Sequence, residues 1–229
     1  MKKLFLILCV LTAILLSYAL YEALVGAPTE QTMGNVQRIF YYHVPSAWTA
    51  FILFFVNFGA SIIYLVKRRP VADIVALVTA EVGVVFCTVV LITGPIWARP
   101  VWGIWWTWDV RLTSTLVLWL IYVSYLFLRR FSSSGQTPLL AAVLAVLGAL
   151  CVPFVYFSIR IFRTQHPQPV IGGGGSIDPR MLHVLLINWL AFSCFAFLVC
   201  WSRYRLERLQ RKVDQAHAIE SLRDPRGGA

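Results

Sequence analysis

The sequence predicts an all-α integral membrane protein: a six-transmembrane-helix bundle with a tryptophan-rich loop on its outer face. Three observations lead there. Of the 229 residues, 59% are hydrophobic and only 13% are charged, against roughly 25% charged in a soluble domain. The mean hydropathy is +0.73. Six apolar segments stand out, near 4–25, 46–66, 71–93, 113–128, 139–157 and 181–201, and one helical crossing needs about 20 apolar residues. The alternation of a membrane barrel is absent, and helices satisfy their backbone groups internally. Disordered, collagenous and disulfide-scaffold classes are excluded by the same composition. Residues 1–201 read as one six-span domain and 202–229 as a basic cytoplasmic tail.

The first segment follows Lys2-Lys3 and has the charge pattern of a signal peptide. Its long apolar stretch, interrupted only by Glu22, reads as a retained anchor. The second begins after Phe40-Tyr-Tyr-His43-Val-Pro45, with Pro45 expected in the first helical turn, where a missing N–H costs nothing. His43 then sits near a helix N-terminus, which favours the neutral imidazole that ligates metals. The third segment carries Glu81, whose burial in a bilayer points it into the bundle, either as a structural group or as part of a polar pathway. The fourth is short and is extended by Arg111 and Leu112 through tilt or snorkelling. Asp178-Pro179 is the expected cap of the sixth. Cys9, Cys87, Cys151, Cys194 and Cys200 lie in apolar runs with no CxxC pair, so neither a zinc site nor a redox pair is expected.

Basic residues set the orientation. With the amino terminus inside, Lys2, Lys3, Lys67, Arg68, Arg69, Arg129, Arg130 and the seven after Trp201 face the cytoplasm, 14 of the 20 Lys+Arg. Arg38, Arg99, Arg111, Arg160, Arg163 and Arg180 are the other six. The positive-inside rule therefore places both termini in the cytoplasm. The tail, with Arg203, Arg205, Arg208, Arg211 and Lys212, is expected to face anionic lipid rather than nucleic acid.

The outer loops hold the chemistry. Trp97, Trp102, Trp105, Trp106 and Trp108 fall within one short stretch. An interfacial aromatic belt and a platform for a large flat ligand are both open readings of it. On a helical wheel Trp102, Trp105, Trp106 and Asp109 share a face. The third outer loop adds Arg160, Arg163, His166 and the glycine run 172–175, and His183 follows at the start of the last span. Two histidines from different loops could clamp a metal beside an aromatic surface, with arginines for carboxylates. Haem meets those demands together. Arg111, with Arg99 or Arg38, is the candidate pair for the two propionates, and Asp109 is expected to orient an arginine.

At 102–113, Trp-Gly-Ile-Trp-Trp-Thr-Trp-Asp-Val-Arg-Leu-Thr, the chain resembles the tryptophan-rich signature of the haem-handling proteins of cytochrome c maturation. Its six spans, His43-Val-Pro45, Arg163-Thr-Gln-His166-Pro and Ser176-Ile-Asp-Pro179 are most similar to the haem exporter protein C (CcmC) family. The resemblance implies a haem-b-binding subunit of the bacterial inner membrane, with His43 and His166 as axial ligands and His183 as a fallback. It also implies Trp102, Trp105, Trp106, Trp108, Asp109 and Arg111 as the haem and chaperone contact. Ile161-Phe162 stand where the family is richer in tryptophan. Delivery to a periplasmic haem chaperone (CcmE-like) is implied, with an ABC-type ATPase, its membrane subunits and a small membrane subunit as further partners. No glycine-rich phosphate loop is present, so ATP hydrolysis is expected of those partners and the chain is not expected to be an enzyme. A transmembrane haem permease and a b-type electron carrier are the competing readings.

Overall fold

The computed structural model describes residues 2–132, 134–169 and 177–223. Ser133, most of the glycine-rich segment and the chain end lie outside the described residues, and so does the expected 172–175 run. Six helices form: α1 (Lys2–Tyr21), α2 (Phe40–Lys67), α3 (Pro70–Trp102), α4 (Val110–Phe131), α5 (Thr137–Ile161) and α6 (Pro179–Arg223). A π-helical turn Glu22–Gly26 closes α1, and a 3-10 turn Asn35–Ile39 leads straight into α2. Among the described residues there is no strand, only an isolated bridge between Glu30 and Gly34. All six helices are long and apolar enough to cross a membrane.

Two helix starts and ends differ from expectation. Because the 3-10 turn feeds α2 from Phe40, Pro45 lies inside the helix rather than in its first turn, and the Tyr41 carbonyl loses its usual donor. Helix α3 runs past position 93 to Trp102, carrying Pro95 and Pro100 within it. It stops because Gly103 adopts a left-handed φ of 77° with its N–H on the Arg99 carbonyl, the usual glycine termination of a helix.

Helix α2 is central, packed against α3, α5 and α6, while α1 lies along α6. In the middle of the bundle Phe54 stacks on Tyr122 at 3.8 Å between ring centres. Gly83 is the reason they fit: a Cβ there would stand 2.7 Å from Phe54 Cε1. Three polar side chains inside are paired through the chain itself. Asn57 Nδ2 donates to the Ala76 carbonyl at 2.7 Å, the Tyr122 hydroxyl donates to Asn57 at 3.3 Å, and Trp119 donates to Thr88 at 2.8 Å.

At the end of the bundle away from His43, α6 continues unbroken through position 201 alongside α3. Arg203 grips Glu81 through two 2.8 Å bonds, so Glu81 is an ion-paired structural group rather than a lone carboxylate in a polar lane. Asp73, 3% exposed, takes both Arg129 and Arg211, and Arg211 also reaches Glu207. The spacing explains the match. Asp73 and Glu81 are eight residues apart on α3, as Arg203 and Arg211 are on α6, so two antiparallel helices meet twice in register. Arg203 and Arg211 thus face protein carboxylates rather than lipid alone.

Candidate functional site

The site forms where the His43 end of α2, the α3–α4 loop and the segment after α5 converge. His43 lies in the first turns of α2 and His166 in the irregular chain beyond Ile161. Their ring centres are 6.5 Å apart with planes inclined at 36°.

Hydrogen bonding sets both tautomers. Thr93 Oγ1 donates its single proton to the Val89 carbonyl at 2.7 Å, so toward His43 Nδ1, 2.8 Å away, it acts as acceptor. The Pro167 carbonyl, 2.9 Å from His166 Nδ1, is an acceptor only. Each ring therefore carries a proton on Nδ1 and, when neutral, leaves the Nε2 lone pair free, the arrangement of a metal-ligating histidine oriented by its other nitrogen. Burial, and then the nearby Arg111 guanidinium, push the His166 pKa down to about 4, so this ring is neutral in ordinary physiological conditions. Among the described residues no group of three or more His, Cys, Asp or Glu side chains gathers as a metal cage. Two facing imidazoles instead suit a metal whose remaining ligands arrive with it.

The tryptophans do not share a helical face, which corrects the wheel expectation: Gly103 ends α3, and 103–109 is loop. Trp102, the last residue of α3, packs edge-on against Trp97 at 5.2 Å. Trp106 and Trp108 make a second edge-on pair at 5.8 Å. Trp105 and Trp108 are 59% and 76% exposed, and Trp106 keeps a buried indole N–H without a partner. The loop thus offers aromatic surface rather than using it internally.

Asp109 does not orient an arginine. Its Oδ1 accepts the Leu112 N–H at 2.9 Å, capping α4, and its Oδ2 accepts the Thr164 hydroxyl at 2.8 Å. Arg111 donates from Nη1 to the Val155 and Tyr156 carbonyls of α5. Arg38 donates to the Ala23 and Ala27 carbonyls, and Arg99 to the Gly103 carbonyl. His183 is exposed and opens on another cleft, lined by Glu22, Gly26, Pro179, Arg180 and Val184. Asp178 caps α6 as expected, accepting the Arg180 N–H at 2.7 Å. Thr93 and Thr164 escaped the sequence reading. Thr164 could have been noticed two residues before His166, but nothing in the sequence links Thr93 to a histidine fifty positions away.

A multi-pass helical membrane protein with paired histidines beside an exposed tryptophan loop is a defined class, and comparison narrows it. The family model described as "Heme exporter protein C" matches residues 1–219. A Bradyrhizobium diazoefficiens protein of that name is 36% identical over 93% of this chain and 81% of its own length. The Escherichia coli protein of that name is 34% identical over 82% of this chain and 74% of its own. A ccmC-like mitochondrial protein of cytochrome c biosynthesis from Marchantia polymorpha is 32% identical over 80% and 78%. The chain belongs to the haem exporter protein C (CcmC) family.

Proposed function

We propose that this chain handles haem in cytochrome c maturation by holding haem b between His43 and His166 and presenting it to a periplasmic haem chaperone. The observation that carries this reading is the histidine pair itself, 6.5 Å between ring centres with each Nδ1 set on a hydrogen-bond partner. A metal between two imidazoles, with bonds of about 2.0–2.1 Å and each ring centre roughly 1 Å beyond its nitrogen, needs about 6 Å. With that separation, His43 and His166 would hold the metal of a haem that brings its remaining ligands with it. Trp102, Trp105, Trp106 and Trp108 supply apolar surface for its faces and edge. Arg111 lies close enough to His166 for its charge to lower that ring's pKa and is held on α5 by Nη1, with its remaining donors suited to a propionate.

In this reading the protein fixes geometry and excludes water while the porphyrin vinyl groups supply the reactivity for attachment to the chaperone. The chain is a handling and delivery protein of the bacterial inner membrane, with both termini cytoplasmic by its basic-residue asymmetry. ATP hydrolysis falls to an ABC-type ATPase acting with its membrane subunits and a small membrane subunit.

The test is the absorption spectrum of the purified protein. His43→Ala and His166→Ala should each deplete haem or alter its spectrum, with partial recovery on adding imidazole, while His183→Ala leaves it unchanged. Wild-type bis-histidine spectra in both alanine variants, with loss in His183→Ala, would overturn the assignment.

A further inference from the structure

We propose that Asp109, the acidic residue of the tryptophan motif, is a positioning residue for His166 acting through Thr164, so that the tryptophan loop and the His166 segment behave as one unit. The inference rests on the reading of His166 as a haem ligand.

The chain of bonds runs in one direction only. An ionised carboxylate has no proton to give, so the Thr164 hydroxyl donates to Asp109 Oδ2 at 2.8 Å. Its lone pair is then turned to the His166 backbone N–H, which donates to it at 3.0 Å. The His166 ring in turn donates from Nδ1 to the Pro167 carbonyl at 2.9 Å. At the other end, Asp109 is anchored by its second oxygen, which caps α4 on the Leu112 N–H. The ligand loop is thus referenced to a rigid helix through one threonine.

The His166 segment needs such a reference. After Ile161 it has no regular secondary structure through its described residues. Among the described residues its side-chain hydrogen bonds to the rest of the bundle are Thr164 to Asp109, and Gln168 back to the Ile159 carbonyl of α5 at 3.1 Å. Of these two hydrogen bonds only the first reaches an element other than α5. An open cleft lined by Thr107, Asp109, Arg163, Thr164 and Gln165 lies over this joint, so the bond from Asp109 to Thr164 holds together the two walls of a surface depression. Asp109 and Thr164 are 55 residues apart. The same carboxylate that ends the tryptophan loop therefore sets where the second histidine stands, and the geometry at His166 depends on the loop that exposes Trp105 and Trp108.

The experiment compares Thr164→Val, Thr164→Ser and Asp109→Asn in the full-length protein, with His166→Ala as reference. Asparagine keeps the helix cap but turns a donor toward Thr164. In haem-free protein, hydrogen exchange at the His166 amide should rise about tenfold in Thr164→Val, the equilibrium equivalent of one net hydrogen bond, and stay near wild type in Thr164→Ser. In loaded protein, haem affinity should fall roughly 10–100-fold in Thr164→Val and Asp109→Asn, the range for outer-shell partners of a metal ligand. The axial-ligand signature in electron paramagnetic resonance should shift with it, and serine should restore both. Wild-type exchange and an unchanged signature in Thr164→Val and Asp109→Asn, with His166→Ala still losing haem, would overturn the positioning role and leave the ligand reading intact. A wild-type spectrum in His166→Ala would instead remove the ligand reading, and the exchange arm would still show whether Asp109 holds the segment. If Thr164→Val fails to fold, Asp109→Asn against Thr164→Ser decides the same question.

Discussion

Replacing Asp73 by asparagine should destabilise the bundle far more than any exposed charge change. The side chain is 4% exposed and accepts from both terminal guanidinium nitrogens of Arg129, whose own side chain is 9% exposed. Asparagine keeps the volume and removes the charge, leaving Arg129 buried over the Tyr125 ring without its ion-paired carboxylate. Stripping one partner from a buried pair costs about 3–5 kcal/mol. Arg211 adds little to this, being one-third exposed and retaining Glu207. At roughly 2–4 °C per kcal/mol for a chain of this size, the expected drop in Tm is about 6–20 °C, read by circular dichroism in detergent. Replacing the whole cluster, Asp73→Leu with Arg129→Met and Arg211→Met, should return Tm close to wild type, because a well-packed apolar substitute avoids the desolvation of both charges. Arg180→Ala, which removes a 75% exposed partner of Asp178, is the control and should not move Tm. An Asp73→Asn protein melting with the wild type, or a triple variant as unstable as the single one, would refute the buried-pair reasoning.

Gly83→Ala should cost about 1–3 kcal/mol by overpacking, because its Cβ would stand 2.7 Å from the Phe54 ring stacked on Tyr122; an unchanged Tm would show that this stack can slide. Thr93→Val removes the acceptor of His43 Nδ1 and should weaken haem retention about tenfold or more, with Thr93→Ser close to wild type in a haem titration. Trp105→Ala with Trp108→Ala removes the two most exposed tryptophans of the loop and should reduce co-purification of the haem chaperone more than haem content; equal losses would make these residues haem contacts alone. For topology, a cysteine at Gln168 in a background lacking the five native cysteines should react with a membrane-impermeant thiol reagent in intact cells. A cysteine at Ser134 should react only after permeabilisation, and the reverse pattern would turn the histidine face to the cytoplasm.

Six spans were readable directly, since apolar runs of about twenty residues have few alternatives in a bilayer. The same holds for the start of α6: Asp178-Pro179 begins it through bonds between neighbours, and local chemistry decides it. The helix ends around the site were less readable. Nothing in apolar periodicity says that α3 crosses Pro95 and Pro100 to reach Trp102, or that Gly103 then stops it and dissolves the expected tryptophan face.

The tryptophan cluster, His43, His166 and the acidic Asp109 were all visible as residue types in suggestive places, because metal ligation and aromatic contact need particular side chains. Their joint geometry was not. Which nitrogen of His43 is free depends on Thr93, fifty residues away on another helix, and which group holds His166 depends on Asp109 at the start of α4. Glu81 looked isolated in the sequence and is paired with Arg203, 122 residues later. Hydrophobic length is a property of a contiguous segment and is written in the order of residues. Hydrogen-bond partnership is a property of distance in space, so it is settled only when the helices pack.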